Sequence, residues 1–345
     1  MIEKYVVCRN DDIYEAFPDV VLTPSGKLVC VFAECTHHSD RSYTRIMLTD
    51  STDRGRTWSQ KRPLTEPTHD LPFWNCPRIT RIRDGRLVVS VDRLFTHDHH
   101  GEEHNCRNVL FFSEDEGATW SDEVEVPALG IVPDRLLELD SGRWIYSCHF
   151  DDKDYGYLVQ RLWYSDDQGK SWTGPVIVGK QKELFLCEVS ILPVEDKLVA
   201  FMRENSAQGL DCMKAISSDD GETWGEISRF PLPGCHRPVA GFLSDGRILI
   251  THRYMQGGKG WVGWWTQNFF AALTDKESAL ATSRNDAHTR ILPVDFDRSL
   301  ESDTGYSGWV QFDDGEIYIV NYIMDDAPKA YIRGYSLRLS DFVLG

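Results

Sequence analysis

The chain has 345 residues, 41% of them hydrophobic with 11 Trp, 13 Tyr and 16 Phe, and a formal net charge of −17 at pH 7. That charge argues against nucleic acid and anionic membranes as partners, since both recruit basic surfaces, and no apolar run reaches transmembrane length. Nine cysteines, odd in number and without a Cys-x-x-Cys spacing, read as reduced thiols. With no leader-like apolar run at the N-terminus, the expectation is a cytoplasmic protein that needs no metal or cofactor.

Taken in order, apolar runs face each other across tight Gly or Asp turns, a strong hairpin signal. Phe17–Leu22 and Leu28–Ala33 flank Pro24-Ser25-Gly26-Lys27, with Ile46–Leu48 following. Arg78–Ile82, Leu87–Val91 and Val109–Phe112 form a second unit around Asp84-Gly85. Leu136–Leu139, Trp144–Ser147 and Leu158–Tyr164 form a third around Ser141-Gly142. Val189–Leu192, Leu198–Met202 and Met213–Ile216 make a fourth around Glu195-Asp196. Val239–Leu243, Ile248–Thr251 and Phe269–Leu273 make a fifth around Asp245-Gly246, and Trp309–Phe312, Ile317–Asn321 and Ala330–Leu337 a sixth around Asp314-Gly315.

A second repeat interleaves with the hairpins. Ser-x-Asp-x-Gly-x-Thr/Ser-Trp occurs at Ser51–Trp58, Ser113–Trp120, Ser165–Trp172 and Ser217–Trp224, so its glycines lie 62, 52 and 52 residues apart. Ser and Asp side chains hold such a turn through nearby N–H groups, Gly reverses the chain, and Trp re-enters a strand. These motifs are fold staples rather than chemistry. A period near fifty residues with strands between copies means a repeat array. The expected fold class is all-β: one six-bladed β-propeller domain over residues 1–345, with Lys4–Cys8 completing the last blade and closing the ring. The segment His97–His104 is rich in His and acids, but its spacing fits a polar loop as well as a metal site.

Polar residues gather at the hairpin ends away from the turns. First strands begin near Asp19, Asn75, Arg78, Asp134, Arg135, Glu188, His236, Arg237 and Tyr306. Second strands end near Glu34, Arg93, His149, Glu204, His252, Arg253 and Tyr322. Charge at the end of an apolar strand is costly unless paired or wet. Six sets at one height around one axis therefore point to a polar pocket at the propeller mouth.

The four Ser-Asp-Gly-Trp turns and six hairpins resemble the sialidase (neuraminidase) superfamily across nearly the whole chain. "FAECTHHSD" resembles the segment ending in that family's general acid, which implies Asp40. "CEVSILPVEDKLVAFMREN" resembles the segment that holds the catalytic Glu and, fifteen residues on, an arginine of the carboxylate clamp, which implies Glu188 and Arg203. "TGYSGWVQFDDGEI" resembles the segment with the nucleophilic Tyr, which implies Tyr306. The resemblance implies a retaining exo-glycosidase acting on a glycan end. Where the family opens with Arg-Ile-Pro this chain has Ala16-Phe17-Pro18, and the family's third arginine is missing from its usual place, so Arg237 and Arg253 are the substitutes. Arg78, Arg93, His37, His38, His236 and His252 are further lining candidates. Two other readings stay open: a lyase for uronic-acid glycans, suggested by the surplus of His, and a glycan-binding propeller without catalysis.

Overall fold

The computed structural model describes residues 2–97, 105–255 and 266–342. Six antiparallel sheets stand around one axis as the blades of a propeller. From the axis outward, blade one is Tyr14–Leu22, Leu28–His37, Asp40–Ser51 and Arg62–Pro63. Blade four is Leu186–Val194, Lys197–Glu204, Asp211–Ser217 and Ser228–Pro233. Blade five is Cys235–Phe242, Ile248–Met255, Gln267–Thr274 and Arg290–Phe296. In blade two the innermost strand is split into Phe73–Trp74 and Arg78–Arg81, and in blade three it shrinks to Leu137–Glu138. Blade six takes Thr304–Gln311, Ile317–Ile323 and Tyr331–Leu337 from the C-terminal part, and its outer strand is Glu3–Cys8, with Tyr5 opposite Gly334. The expected N-terminal clasp is thus present, and no blade is left to begin or end the ring as a free sheet.

Neighbouring blades are stitched near the axis by side chains that accept from the next blade's backbone. Asp19 Oδ2 accepts from Ile79 N at 3.0 Å, Asp134 Oδ2 from Ile191 N at 3.2 Å, and Ser190 Oγ from Ala240 N at 3.0 Å. Farther out, apolar faces fill the wedges between sheets, as where Phe269 of blade five meets Tyr335 of blade six with ring centroids 5.5 Å apart.

The four Ser-Asp-Gly-Trp turns link third to fourth strands in blades one to four. In the first, Asp53 accepts from Thr57 N at 2.9 Å and Thr57 Oγ1 at 2.5 Å, while Ser51 Oγ accepts from Gly55 N at 2.8 Å. Asp115, Asp167 and Asp219 repeat the same bonds. Arg54 and Gly55 have φ of 62° and 83°. A Cβ on Gly55 would lie 2.2 Å from Tyr318 Cζ, so the glycine serves close approach as well as reversal. Blade five has no such turn. There Asp275 caps the short helix Lys276–Leu280 by accepting from Ser278 N.

Candidate functional site

The innermost strands of blades one, four, five and six share one defect. Each carries one extra residue relative to its partner strand, at the register breaks Ala16/Asp19, Cys187/Ser190, His236/Val239 and Gly305/Gly308. Within each bulge one residue takes positive φ: Phe17 (58°), Glu188 (46°), Arg237 (49°) and Tyr306 (57°). A large side chain in that region is strained by roughly 1–3 kcal/mol, a cost typical of functional sites. The result is convergence: four residues from four blades meet at one place. Phe17 packs edge-on against Tyr306, with centroids 5.1 Å apart, and the Arg237 guanidinium lies 5.6 Å from the same ring.

Tyr306 and Glu188 form the centre. The Tyr306 hydroxyl donates to Glu188 Oε1, and Arg203 Nη1 donates to the same oxygen at 2.7 Å. Arg253 places its guanidinium 5.5 Å from the Tyr306 ring. Burial works to raise the Glu188 pKa, but the charges of Arg203, Arg253 and Arg237 overcome it and hold the group at about 2. Burial, then the Glu188 charge, push the Tyr306 phenol well above its ordinary value. Charge is unbalanced here. Arg203 is paired with Glu188, Arg253 stands 4.0 Å from Asp303, and Arg237 donates to the carbonyl of Pro133 at 2.8 Å. The buried Nε atoms of all three arginines, together with Arg237 Nη1, have no protein acceptor among the described residues. Buried donors converging without acceptors suit an incoming anion.

Asp303, which no pattern in the sequence singles out, organises the adjoining wall. It lies one residue before the innermost strand of blade six and accepts from Tyr14 Oη, from Tyr322 Oη at 2.7 Å and from His38 Nδ1 at 2.5 Å. Burial opposes its charge, but His38, Tyr14 and Arg253 hold its pKa at about 2. Arg41 is the other addition. It is buried, stacks 5.0 Å over Phe17, and leaves Nε and Nη1 without protein acceptors. Phe17 thereby stands where Arg-Ile-Pro was expected, with a guanidinium from the neighbouring hairpin on its face.

Most of the remaining sequence-based candidates fall elsewhere. Asp40 is exposed at the tip of the hairpin joining Leu28–His37 to Asp40–Ser51, and its carboxylate accepts from Ser42 N at 2.9 Å. His37 is also exposed and packs on Tyr14. Arg78 is 1% exposed, 3.3 Å from Asp19, and donates to Ser307 O at 2.9 Å, so it braces the strand behind Tyr306. Arg93 sits over Trp74 on blade two, away from the centre. His252 precedes Arg253 on one strand and therefore faces the opposite side, against Phe270, because strand side chains alternate. His236 lies beside Arg253, with Nδ1 3.3 Å from Nη2. Glu34 and Glu204 are taken up by Lys61 and Ser206. Of the loop expected at His97–His104, residues 98–104 lie outside the described residues. His97 itself meets Asp70 at 2.8 Å.

Two measurable consequences follow from this packing. A Cβ on Gly305, whose φ is 108°, would sit 2.5 Å from Arg253 Cβ. Gly305→Ala is expected to displace Arg253, cost about 1–3 kcal/mol in urea denaturation, and weaken anion binding measured by calorimetry. His149 and His252 are both held at about 4, chiefly by burial, against an ordinary value of 6.5. Between those pH values the unfolded chain binds protons that the folded chain refuses, so stability falls as pH drops through the window, by on the order of 3 kcal/mol per histidine at its foot. Urea midpoints taken from pH 7 to pH 4 should decline, and less steeply in His252→Gln.

A family profile described as a BNR repeat-like domain matches residues 91–319. A sialidase of Clostridium perfringens is 24% identical over 196 residues, which covers 50% of this chain and 50% of that protein. The chain therefore spans about half the length of this curated relative. Among solved structures, a Dyadobacter fermentans DSM 18053 protein of unknown function superposes with a TM-score of 0.79 at 19% identity, covering 98% of this chain and 99% of its own. Hadza microbial sialidase Hz136 superposes with a TM-score of 0.71 at 17% identity, covering 96% of this chain and 66% of its own. At these identities the superpositions speak for the fold. Fold, repeats and profile agree: the chain belongs to the BNR repeat-like domain family, within the sialidase-like superfamily of six-bladed propellers.

Proposed function

We propose that the protein is a retaining exo-glycoside hydrolase that removes a carboxylate-bearing terminal sugar from a glycan. The observation that carries this reading is the Tyr306–Glu188 hydrogen bond, set among Arg203, Arg237 and Arg253. A phenol with a raised pKa does not wait as a phenolate. It attacks the anomeric carbon as it passes its proton to Glu188. A neutral phenol also avoids the repulsion that a carboxylate nucleophile would meet from an anionic substrate.

In the resting site Glu188 is a weak base, because three arginines share its charge. A substrate carboxylate entering among those guanidiniums competes for them. Their hold on Glu188 relaxes, its basicity rises, and proton transfer becomes favourable only when substrate is bound. The hairpin that carries His38 and Asp40 over the same pocket supplies the acid for the leaving oxygen.

A panel of chromogenic glycosides with a sialoside included tests the proposal, followed by trapping with a fluorinated sugar. Mass spectrometry should find the adduct on Tyr306. Sugar binding without turnover would instead indicate a lectin-like propeller. A product with a new ultraviolet absorption on uronic glycans would indicate a lyase.

A further inference from the structure

The general acid expected from sequence resemblance is Asp40, yet the hairpin tip offers two candidates, and their surroundings differ. Asp40 faces solvent, and hydrogen bonds from Ser42 lower its pKa. An acid must carry a proton at the working pH, so a carboxyl stabilised as its anion is poorly suited to that task. His38 lies two residues earlier, at the turn between the same strands. Its Nδ1 is 2.5 Å from Asp303 Oδ2, and its ring packs edge-on against Phe17 with centroids 5.3 Å apart. Phe17 in turn touches Tyr306, and Tyr322, which donates to Asp303, has its ring 6.3 Å from that of Tyr306. His38 therefore stands on the wall of the reacting centre, one ring away from the nucleophile. Its side chain is 40% exposed, and Nε2 has no protein partner among the described residues.

We infer that His38, not Asp40, is the general acid and base of the reaction, with Asp303 as the residue that positions it. The inference rests on the glycosidase reading given above. A carboxylate accepting from Nδ1–H fixes the ring orientation, which leaves Nε2 as the atom that gives and takes the catalytic proton. Asp303 is itself locked by two tyrosine hydroxyls from blades one and six, so the pair is held by the scaffold and not by the loop alone.

The steps balance. Tyr306 Oη bonds to the anomeric carbon and gives its proton to Glu188. The glycosidic C–O bond breaks, and the leaving oxygen takes the proton of His38 Nε2. In the second half a water oxygen attacks the same carbon and yields a proton to Nε2. The C–O bond to Tyr306 breaks, and the phenolate recovers its proton from Glu188. The sum is hydrolysis with retention, and Tyr306, Glu188 and His38 all end as they began.

The test compares His38→Ala, His38→Gln and Asp40→Asn on two substrates of the same sugar, one with a 4-nitrophenyl and one with an alkyl leaving group, with and without azide. An activated leaving group needs no proton, and azide replaces water without needing a base. The His38 variants are expected to lose about a hundredfold or more on the alkyl glycoside, to lose far less in the first step on the nitrophenyl glycoside, and to form a glycosyl azide of retained configuration. Asp40→Asn is expected to form no such azide. The same pattern in Asp40→Asn and not in the His38 variants overturns the inference. So does an equal loss on both substrates without azide rescue in His38→Ala and His38→Gln, which marks a structural role. Failure of the glycosidase reading looks different: the unaltered protein then turns over neither substrate, and the role of His38 falls with it.

Discussion

Tyr306→Phe is expected to abolish hydrolysis while leaving the fold intact. The substitution deletes one oxygen. The ring that packs on Phe17 and Tyr322 and lies beneath Arg237 and Arg253 stays in place. Glu188 keeps its 2.7 Å bond from Arg203, so no buried charge is stranded. Losing the nucleophile removes the covalent route altogether, and a fall in kcat of about 10³-fold or more is expected. The thermal midpoint should move little, and binding of a substrate carboxylate should persist in calorimetry. Turnover within tenfold of the unaltered protein would remove Tyr306 from the mechanism.

Glu188→Ala is expected to damage both stability and activity, and in different proportions from Tyr306→Phe. The three arginines around Glu188 are buried. Without that carboxylate Arg203 has no anionic partner among the described residues, and like charges from Arg237 and Arg253 remain. Removing one member of such a buried set costs about 3–5 kcal/mol. Urea denaturation should show the loss, and added phosphate should restore part of it, because an anion that occupies the cluster stabilises by mass action. Activity should fall by about 10²–10⁴-fold, the usual share of a general base. Glu188→Gln keeps the shape and loses the charge, so it should lose activity as severely and recover with phosphate in the same way.

These expectations show how far the residues themselves could be read. Turn chemistry at Asp84-Gly85 or Asp245-Gly246, with apolar runs on either side, made the blades and their order legible. Glu188, Arg203 and Tyr306 were legible because their segments resemble a known family and open or close apolar strands. The bulges were not legible. An extra residue before Asp19 or Ser190 reverses which side chains face the axis, and no local signal marks it. His252 and Arg253, neighbours on the unbulged second strand, could not be told apart as lining residues because the sequence alone does not say which face of Ile248–Met255 meets the pocket. Asp303 was missed because it sits between Ser302 and Thr304 in an unremarkable polar stretch, and its meaning arises only when Tyr14, His38 and Tyr322 arrive from other strands. Arg41 was missed for the same reason, since its role depends on Phe17 and Phe73 from two blades.

The clasp that joins Glu3–Cys8 to Tyr331–Leu337 has a bearing on how the molecule is made. The strand Glu3–Cys8 cannot find its seat early, because its hydrogen-bonding neighbour is synthesised more than three hundred residues later. Until then a ribbon from Glu3 to Cys8 dangles, and the inner strand at Tyr14–Leu22 waits for its companion at Thr304–Gln311. The ring therefore shuts like a latch only once its sixth blade is made, and Asp303, on the late-arriving side, reaches Tyr14 and His38 in that same act.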